Sequence, residues 1–233
     1  MRLAIVSDIH GNFEALTAAL DLIDSRAVDE TICLGDIVGY GANPNECIDL
    51  IRQRCMVILL GNHDAAAVDL SVANSFTMNA RLSALWTHQA LLDKNREFLQ
   101  SLPYTKERGE IFLTHGSPYN PDEWNYIITD FDARDAFQSF THRICFVGHS
   151  HIPALFSESG SSSNLTIRDR YIINVGSIGQ SRDGNPKLSF GIFDTEAWTY
   201  ENIRADYDVF TAAEKINSAG LPPALAHRLM VGV

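Results

Sequence analysis

Short apolar runs punctuate the first two-thirds of the chain, and stretches of helical periodicity separate them. Leu3 to Val6 reads as a first strand. Asn12 is then placed to cap a helix in which Phe13, Leu16, Ala19, Leu20 and Ile23 recur at helical spacing. Thr31 to Leu34 is a second strand. Asn43-Pro44 opens the next helix with proline in its first turn and Ile48, Leu50 and Ile51 behind it. Met56 to Leu60, Ile111 to Thr114 and Ile144 to Val147 are further runs of strand character. Between the third and fourth strands lies a helical insertion at about 72–102, expected to form two helices. Leu82, Leu85, Trp86, Leu92, Phe98, Leu99 and Leu102 give it an apolar face. Packing of that face on the body of the protein is the plainer expectation; a partial lid or a dimer face is the alternative.

After His151 the periodicity shortens. Ala154 to Ser157, Leu165 to Arg168, Tyr171 to Asn174, Leu188 to Phe193 and Trp198 to Ile203 are strand-like, separated by glycine- and serine-containing turns. The serine-rich tip from Ser159 to Asn164 reads as a solvated hairpin loop, and helix returns from Val209 to His227. Alternating strands and helices followed by mostly strands predict two sheets packed together with helices outside. No linker or internal repeat divides the chain, so one domain over residues 1–233 is expected.

Five of the runs lead into a short motif of metal-ligand residue types. These are Asp8-Ile9-His10, Gly35-Asp36, Gly61-Asn62-His63-Asp64, Thr114-His115-Gly116 and Gly148-His149-Ser150-His151, and they hold five of the eight histidines. Carboxylates, an amide and imidazoles are the donors a pair of divalent cations needs. Sites in open α/β sheets assemble at the carboxyl ends of strands, so the five loops should converge on one edge. Asp8 and His10 are two apart, as are His149 and His151; on an extended backbone the members of each pair would face one centre. Gly11, Gly35, Gly61, Gly116 and Gly148 stand beside the ligands, where backbone freedom is useful. A lone Asp-x-His is a weak signal, but burying the whole ordered set without a cation would be costly.

Composition narrows the partners. With 18 basic and 29 acidic side chains the formal net charge is −11, which disfavours extended nucleic acid and anionic membranes as partners. A small phosphorylated substrate drawn to bound cations remains compatible. Cys33, Cys47, Cys55 and Cys145 form no Cys-x-x-Cys pair, and Cys33 and Cys145 sit in apolar runs. A disulfide framework is therefore not expected, which favours a reducing, cytoplasmic location. The apolar N-terminal run is too short for a signal segment and ends in Asp8 and His10, and no run is long enough to span a bilayer.

The ordered motifs resemble those of the calcineurin-like metallophosphoesterase superfamily. Gly35-Asp36-Ile37-Val38-Gly39-Tyr40-Gly41, His115-Gly116-Ser117-Pro118 and Asn174-Val175-Gly176-Ser177-Ile178-Gly179-Gln180 are similar to the small bacterial phosphodiesterase-like members. The similarity runs from Asp8 to about Asp194. It implies an α/β (α+β) fold, a four-layer αββα sandwich of two mixed sheets flanked by helices. It also implies a dinuclear centre in which Asp8, His10 and His151 hold one metal and Asn62, His115 and His149 the other, with Asp36 bridging. Mixed oxygen and nitrogen ligation suits manganese, iron, zinc, nickel or cobalt. Two such cations polarise a phosphoryl oxygen and lower the pKa of a bridging water, whose hydroxide attacks phosphorus in line with the leaving group. By the same resemblance His63 assists the departing oxygen, and Asp64 would orient that imidazole through a hydrogen bond.

The substrate is constrained by departures from neighbouring families. Ser/Thr protein phosphatases and symmetrical dinucleoside tetraphosphatases carry Asp-Arg-Gly soon after the bridging aspartate, whereas Val38 is followed here by Gly39, Tyr40 and Gly41. Protein phosphatases also carry Glu where Asp64 stands. A different phosphate grip, or a small phosphodiester or nucleotide of lower charge, is favoured. Candidate substrate contacts are Asn12, Arg182, and Tyr119 and Trp124 on the aromatic loop after His115, which also carries Tyr126. Arg182 in a surface ion pair and the loop aromatics in simple packing are the plainer readings. A protein phosphatase, a dinucleoside polyphosphate hydrolase and a protein-binding scaffold on the same fold are the competing functions; the complete ligand set weighs against the scaffold.

Overall fold

The computed structural model of the chain describes residues 1–160 and 165–233. β1 (Arg2–Val6) leads through α1 (Phe13–Asp24) to β2 (Glu30–Cys33), and α2 (Pro44–Arg54) leads on to β3 (Val57–Ile58). Three helices follow: α3 (Asn62–Val68), α4 (Met78–Ala90) and α5 (Asp93–Gln100). The chain then enters β4 (Thr105–Arg108) and β5 (Ile111–Thr114), passes α6 (Asp130–Ala136) and reaches β6 (Ile144–Val147). β7 (Ala154–Ser157), β8 (Tyr171–Asn174), β9 (Leu188–Asp194) and β10 (Thr199–Ala205) come next, followed by α7 (Val209–Ser218) and α8 (Pro223–Val231).

Two five-stranded mixed sheets result, in the orders β10-β9-β1-β2-β3 and β4-β5-β6-β8-β7. β1, β2 and β3 run parallel, with β9 and β10 added antiparallel on one side. In the second sheet β5, β6 and β8 are parallel, and β4 and β7 are antiparallel edges. Because side chains alternate across a strand, each central strand must be apolar on both faces if it is covered twice. Leu3 and Ile5 of β1 pack with Ile111, Leu113, Ile144 and Phe146 in the core between the sheets. Ala4 and Val6 of the same strand face α1 and α2 through Leu16, Ala19, Ile48 and Ile51. On the far face of the second sheet, Cys145 and Ile172 meet Ala133, Ala136 and Phe137 around α6. These three cores between four layers are the expected αββα sandwich.

Local signals placed the first helices correctly. The Asn12 side chain accepts from the Ala15 N–H, 3.1 Å, at the start of α1, and Pro44 opens α2. Three expectations are corrected. Leu165 to Arg168 is not a strand: the Asp169 N–H bonds to the Thr166 carbonyl in a turn, and the Thr166 N–H is taken by the Tyr171 hydroxyl. The third strand is only two residues long. In the 72–102 stretch, α4 packs through Ala80, Ser83, Ala84 and Thr87, leaving Leu82 and Leu85 45% and 42% exposed. Small residues win that face because they let the helix approach α3 closely. The rest of that apolar set apart from Leu92 packs on the body as expected: Leu99 is fully buried, and Phe98, Leu102 and Trp86 are partly buried against core clusters. Of the expected hairpin tip at Ser159 to Asn164, residues 161–164 lie outside the described residues. No helix among the described residues is long and apolar enough to cross a membrane.

Candidate metal centre

The five loops leave the carboxyl ends of β1, β2, β3, β5 and β6 and are tied across both sheets by hydrogen bonds. The Asp8 N–H donates to Gly35 O at 3.0 Å and the His10 N–H to Asp36 O at 3.0 Å, joining the first two loops. The Gly148 N–H donates to His115 O at 2.9 Å, joining two loops of the second sheet, and the His149 N–H donates to Asp8 Oδ2 at 3.0 Å, joining one sheet to the other. At Gly148 the glycine is required by space, since a Cβ there would overlap Ser7 Oγ and Asp8 Oδ2.

Extended backbone is not what aims the ligands. Asp8, His10, Asp36, His149 and His151 all have positive φ, between 51° and 65°. Each such non-glycine residue costs on the order of 1–2 kcal/mol, which the cross-loop hydrogen bonds offset. The consequence differs for the two pairs. Asp8 and His10 do reach one centre, but His149 and His151 diverge. Asp8, His10, Asp36 and His151 bring one ligand atom each within 4.8 Å of one another; Asp36, His115 and His149 form a second such group. Asp36 belongs to both.

Distances define the first group. His151 Nε2 lies 3.2 Å from Asp8 Oδ1, and His10 Nε2 lies 3.6 Å from Asp36 Oδ2. His10 Nδ1 is 3.0 Å from Val38 O, and His151 Nδ1 is 2.5 Å from Gln180 O. Carbonyls accept only, so each Nδ1 carries the proton and each Nε2 is a bare lone pair. Those two lone pairs face each other at 3.0 Å. Two acceptors at that distance repel, and a cation coordinated by both removes the conflict.

The second group has the same character. His115 Nε2 is 3.3 Å from Asp36 Oδ2 without hydrogen-bond alignment, so the attraction is ionic. Asn62 Oδ1 is buried with no partner and borders the same cleft as His149. Asp8 Oδ1 and Asp36 Oδ2 are likewise buried and unpartnered. Groups of this kind are ordinarily satisfied in a folded protein, so the donor set fits metal ions rather than a closed protein network.

The electrostatics of the bare site point the same way. Burial works against charge on Asp36, yet the facing imidazoles, His115 foremost, hold its carboxyl well below the usual range. Burial would lower His115, but Asp36 outweighs it and the imidazole rises to about 9. Burial pushes His149 down to about 3 and His63 to about 4, so both rings are neutral at pH 7. Asp64 is pushed up to about 7 by burial, reinforced by the Asp36 charge.

Asp64 does not orient His63. Its Oδ1 accepts the Val38 N–H at 3.0 Å and its Oδ2 the Gly61 N–H at 3.1 Å. Adjacent residues on a helix point in different directions, so Asp64 instead ties the loop of Asp36 to the loop of Asn62. His63 Nδ1 is buried and unpartnered. Its ring is held between aromatic faces, with centroids 4.4 Å from Tyr40 and 4.7 Å from Phe76.

A cleft of about 740 Å³ opens beside the ligands and is lined by His63, Phe76, Trp124, Tyr126, Arg182 and Arg228, among others. Trp124 and Arg182 are therefore where a substrate contact is expected, and among the described residues Arg182 makes no ion pair with a carboxylate. Two expectations are corrected. Asn12 spends its Nδ2 on Gly179 O at 2.9 Å and its Oδ1 on the Ala15 N–H, so it is a structural link. Tyr119 is 59% exposed and lines an adjoining depression rather than the cleft; the loop aromatic that reaches the ligands is Tyr126, stacked on His149 at 4.0 Å. Sequence reasoning missed Phe76 and Arg228. Tyr126 was visible on the aromatic loop, whereas Phe76 and Arg228 are remote in sequence from every motif.

Comparison with known proteins agrees with this geometry. A model of the calcineurin-like phosphoesterase superfamily domain matches residues 1–197. The uncharacterized protein MJ0912 of Methanocaldococcus jannaschii is 40% identical over 243 aligned residues, spanning 99% of this chain and 98% of the relative. A crystal structure of a metallophosphoesterase from Sphaerobacter thermophilus superposes with a TM-score of 0.88 at 36% identity, covering 100% of this chain and 99% of that one. Hypothetical protein PH1004 of Pyrococcus horikoshii OT3 shares the fold, with a TM-score of 0.85 at 22% identity over 100% of this chain and 98% of that one. With matched motifs at strand ends and their ligand atoms gathered into two groups, the chain belongs to the calcineurin-like phosphoesterase superfamily and is a metal-dependent phosphate-ester hydrolase.

Proposed function

We propose that the protein hydrolyses small phosphodiesters or nucleotides at a dinuclear centre held by Asp8, His10, Asp36, Asn62, His115, His149 and His151. The observation that carries this reading is Asp36, whose carboxylate is common to both ligand groups and buried to 1% exposure. Manganese, iron, zinc, nickel and cobalt all suit the mixed donors. Bound there, the cations would supply Lewis acidity to a phosphoryl oxygen and to the attacking water.

The chain's own residues provide the rest. The Val38 and Gln180 carbonyls keep His10 and His151 with Nε2 toward the centre. His63, neutral and clasped by Tyr40 and Phe76, has Nδ1 enclosed against Gly39, so Nε2 is the atom offered to the cleft. A proton held there would hydrogen-bond the leaving oxygen as its charge develops. A cleft of this volume lined by aromatic rings suits a small molecule better than a folded protein surface. Buried Cys33, Cys47 and Cys145, all unpaired, fit a reducing compartment such as the cytoplasm.

Metal analysis of the purified protein, then assay of a phosphomonoester, a phosphodiester, a cyclic nucleotide and a dinucleoside polyphosphate with added manganese, tests the reading. Two metals per chain and turnover of at least one small ester are expected. His63→Ala should lower kcat by about 100-fold or more while both metals stay bound. Loss of metal in that variant would make His63 a ligand and overturn its role; two bound metals with no turnover on the whole panel would overturn the activity.

A further inference from the structure

We infer that Arg182 and Arg228 form a two-guanidinium grip for a second anionic group beside the scissile phosphate, so that the preferred substrate carries two phosphoryl groups. This rests on the hydrolase reading above and names its substrate class.

The two arginines come from distant parts of the chain. Arg182 follows the last motif, and its backbone N–H donates to the carbonyl of the ligand His151 at 3.3 Å, which fixes its distance from the centre. Its Nη2 donates to the Tyr40 hydroxyl at 3.1 Å, and its Nε is buried without a partner. Arg228 lies on α8, beyond residue 197 where the family match ends. α8 is docked by Leu225, Ala226 and Leu229 on the same apolar cluster as Tyr40, which turns Arg228 into the cleft.

Among the described residues neither guanidinium makes an ion pair with a carboxylate. Arg26, Arg54, Arg108, Arg143, Arg170 and Arg204 do; other arginines also lack a carboxylate partner, but Arg182 and Arg228 are the pair that lines the cleft beside the ligands. In a protein of net charge −11, two unpaired arginines in one cleft are a local reversal of sign, suited to an anion. Among the described residues, the acids lining the cleft, Asp122 and Glu123, come from the short turn before Trp124. They repel an anion from that end and leave it to the arginine end.

The order of charges sets the substrate. Arg182 is bonded through its backbone to the ligand His151 and through its guanidinium to Tyr40, whose ring lies 4.5 Å from that of His10, whereas Arg228 borders the cleft from α8. Moving outward, the cleft therefore presents the metal ligands, then Arg182, then Arg228. A phosphoryl group at the ligands meets Arg182, and a second phosphoryl group attached to it meets Arg228. Tyr40 stands where Asp-Arg-Gly families have their arginine, so here the positive charge arrives from Arg182 and from the C-terminal helix instead.

Calorimetric binding of AMP and ADP to the manganese-loaded His63→Ala protein, in which turnover is suppressed, tests this. Metal coordination alone also favours a diphosphate, so the difference between variants is the readout. Adding Arg228→Ala should reduce ADP affinity by about 10- to 100-fold while AMP affinity changes less than about threefold, which also shows that the fold is intact. Arg228→Lys should restore part of the loss, and Arg182→Ala should weaken both ligands. Equal loss for AMP and ADP on Arg228→Ala, an unchanged ADP preference, or no ADP preference in the parent overturns the inference. An Arg228-dependent preference with no ester hydrolysed by the unsubstituted protein would overturn the hydrolase reading and leave the grip standing.

Discussion

Asp36→Asn is the substitution that most directly separates a dinuclear centre from a buried polar network. Asp36 Oδ1 accepts the His63 N–H at 2.8 Å, and an asparagine of the same shape keeps that bond through its own carbonyl oxygen. The amide nitrogen then replaces Oδ2, 3.3 Å from His115 Nε2 and 3.6 Å from His10 Nε2, and the shared negative charge is gone. The packing is unchanged, so the apoprotein should still fold. What is lost is the anion common to both ligand groups. A ligand present at 100 times its dissociation constant stabilises the folded state by about 2.7 kcal/mol per site. For a chain of this size each kcal/mol is worth about 2–4 °C in Tm, so each filled site should raise Tm by about 5–10 °C. The unsubstituted protein should therefore lose about 10–20 °C in Tm when both ions are stripped by EDTA. Asp36→Asn should show little or no such difference and less than one metal per chain after dialysis. Thermal unfolding with and without EDTA, with elemental analysis on the same samples, measures both quantities. Two metals retained by Asp36→Asn together with a full EDTA-dependent shift would refute the bridging assignment.

Two further outcomes follow from the same geometry. Trp124 lines the cleft and Tyr119 does not, so Trp124→Ala should raise KM for a nucleotide substrate by about tenfold, in the range of one stacked base, while Tyr119→Ala leaves it unchanged; equal effects would remove Trp124 as a stacking platform. Gly39 has φ +90°, and a Cβ there would lie 2.6 Å from His63 Nδ1. Gly39→Ala should destabilise the protein by about 1–3 kcal/mol in denaturant unfolding and displace His63, lowering kcat with both metals bound; unchanged kcat would show that the ring's position is not critical.

Much of the architecture was legible because local physics and global fold agree along these strands. Leu3 to Val6, Ile111 to Thr114 and Ile144 to Val147 are apolar on both faces, as doubly covered strands must be, and Asn12 and Pro44 are helix starters wherever they occur. Errors arose where tertiary contact overrides propensity. Leu165 to Arg168 looked like a strand, but the Tyr171 hydroxyl takes the Thr166 N–H that a neighbouring strand would have taken. The leucines of α4 looked like a packing face, but close approach to α3 selects alanine and serine instead.

The candidate site divides along the same line. Residue identity and order determined which side chains carry the chemistry, because carboxylate, amide and imidazole donors after strand ends are chemically distinctive wherever the chain places them. Their arrangement was decided in three dimensions. Left-handed backbone at Asp8, His10, Asp36, His149 and His151, held by bonds between loops, sends His149 and His151 to different groups although they are two residues apart. Asp64 is drawn away from its neighbour His63 by the backbone amides of Val38 and Gly61. Arg228 reaches the cleft only because α8 packs on Tyr40, at a separation no local pattern encodes. Sequence carries donor type, since that is a property of single residues. Distance, register and charge order are properties of packed loops and helices, and only the folded chain determines them.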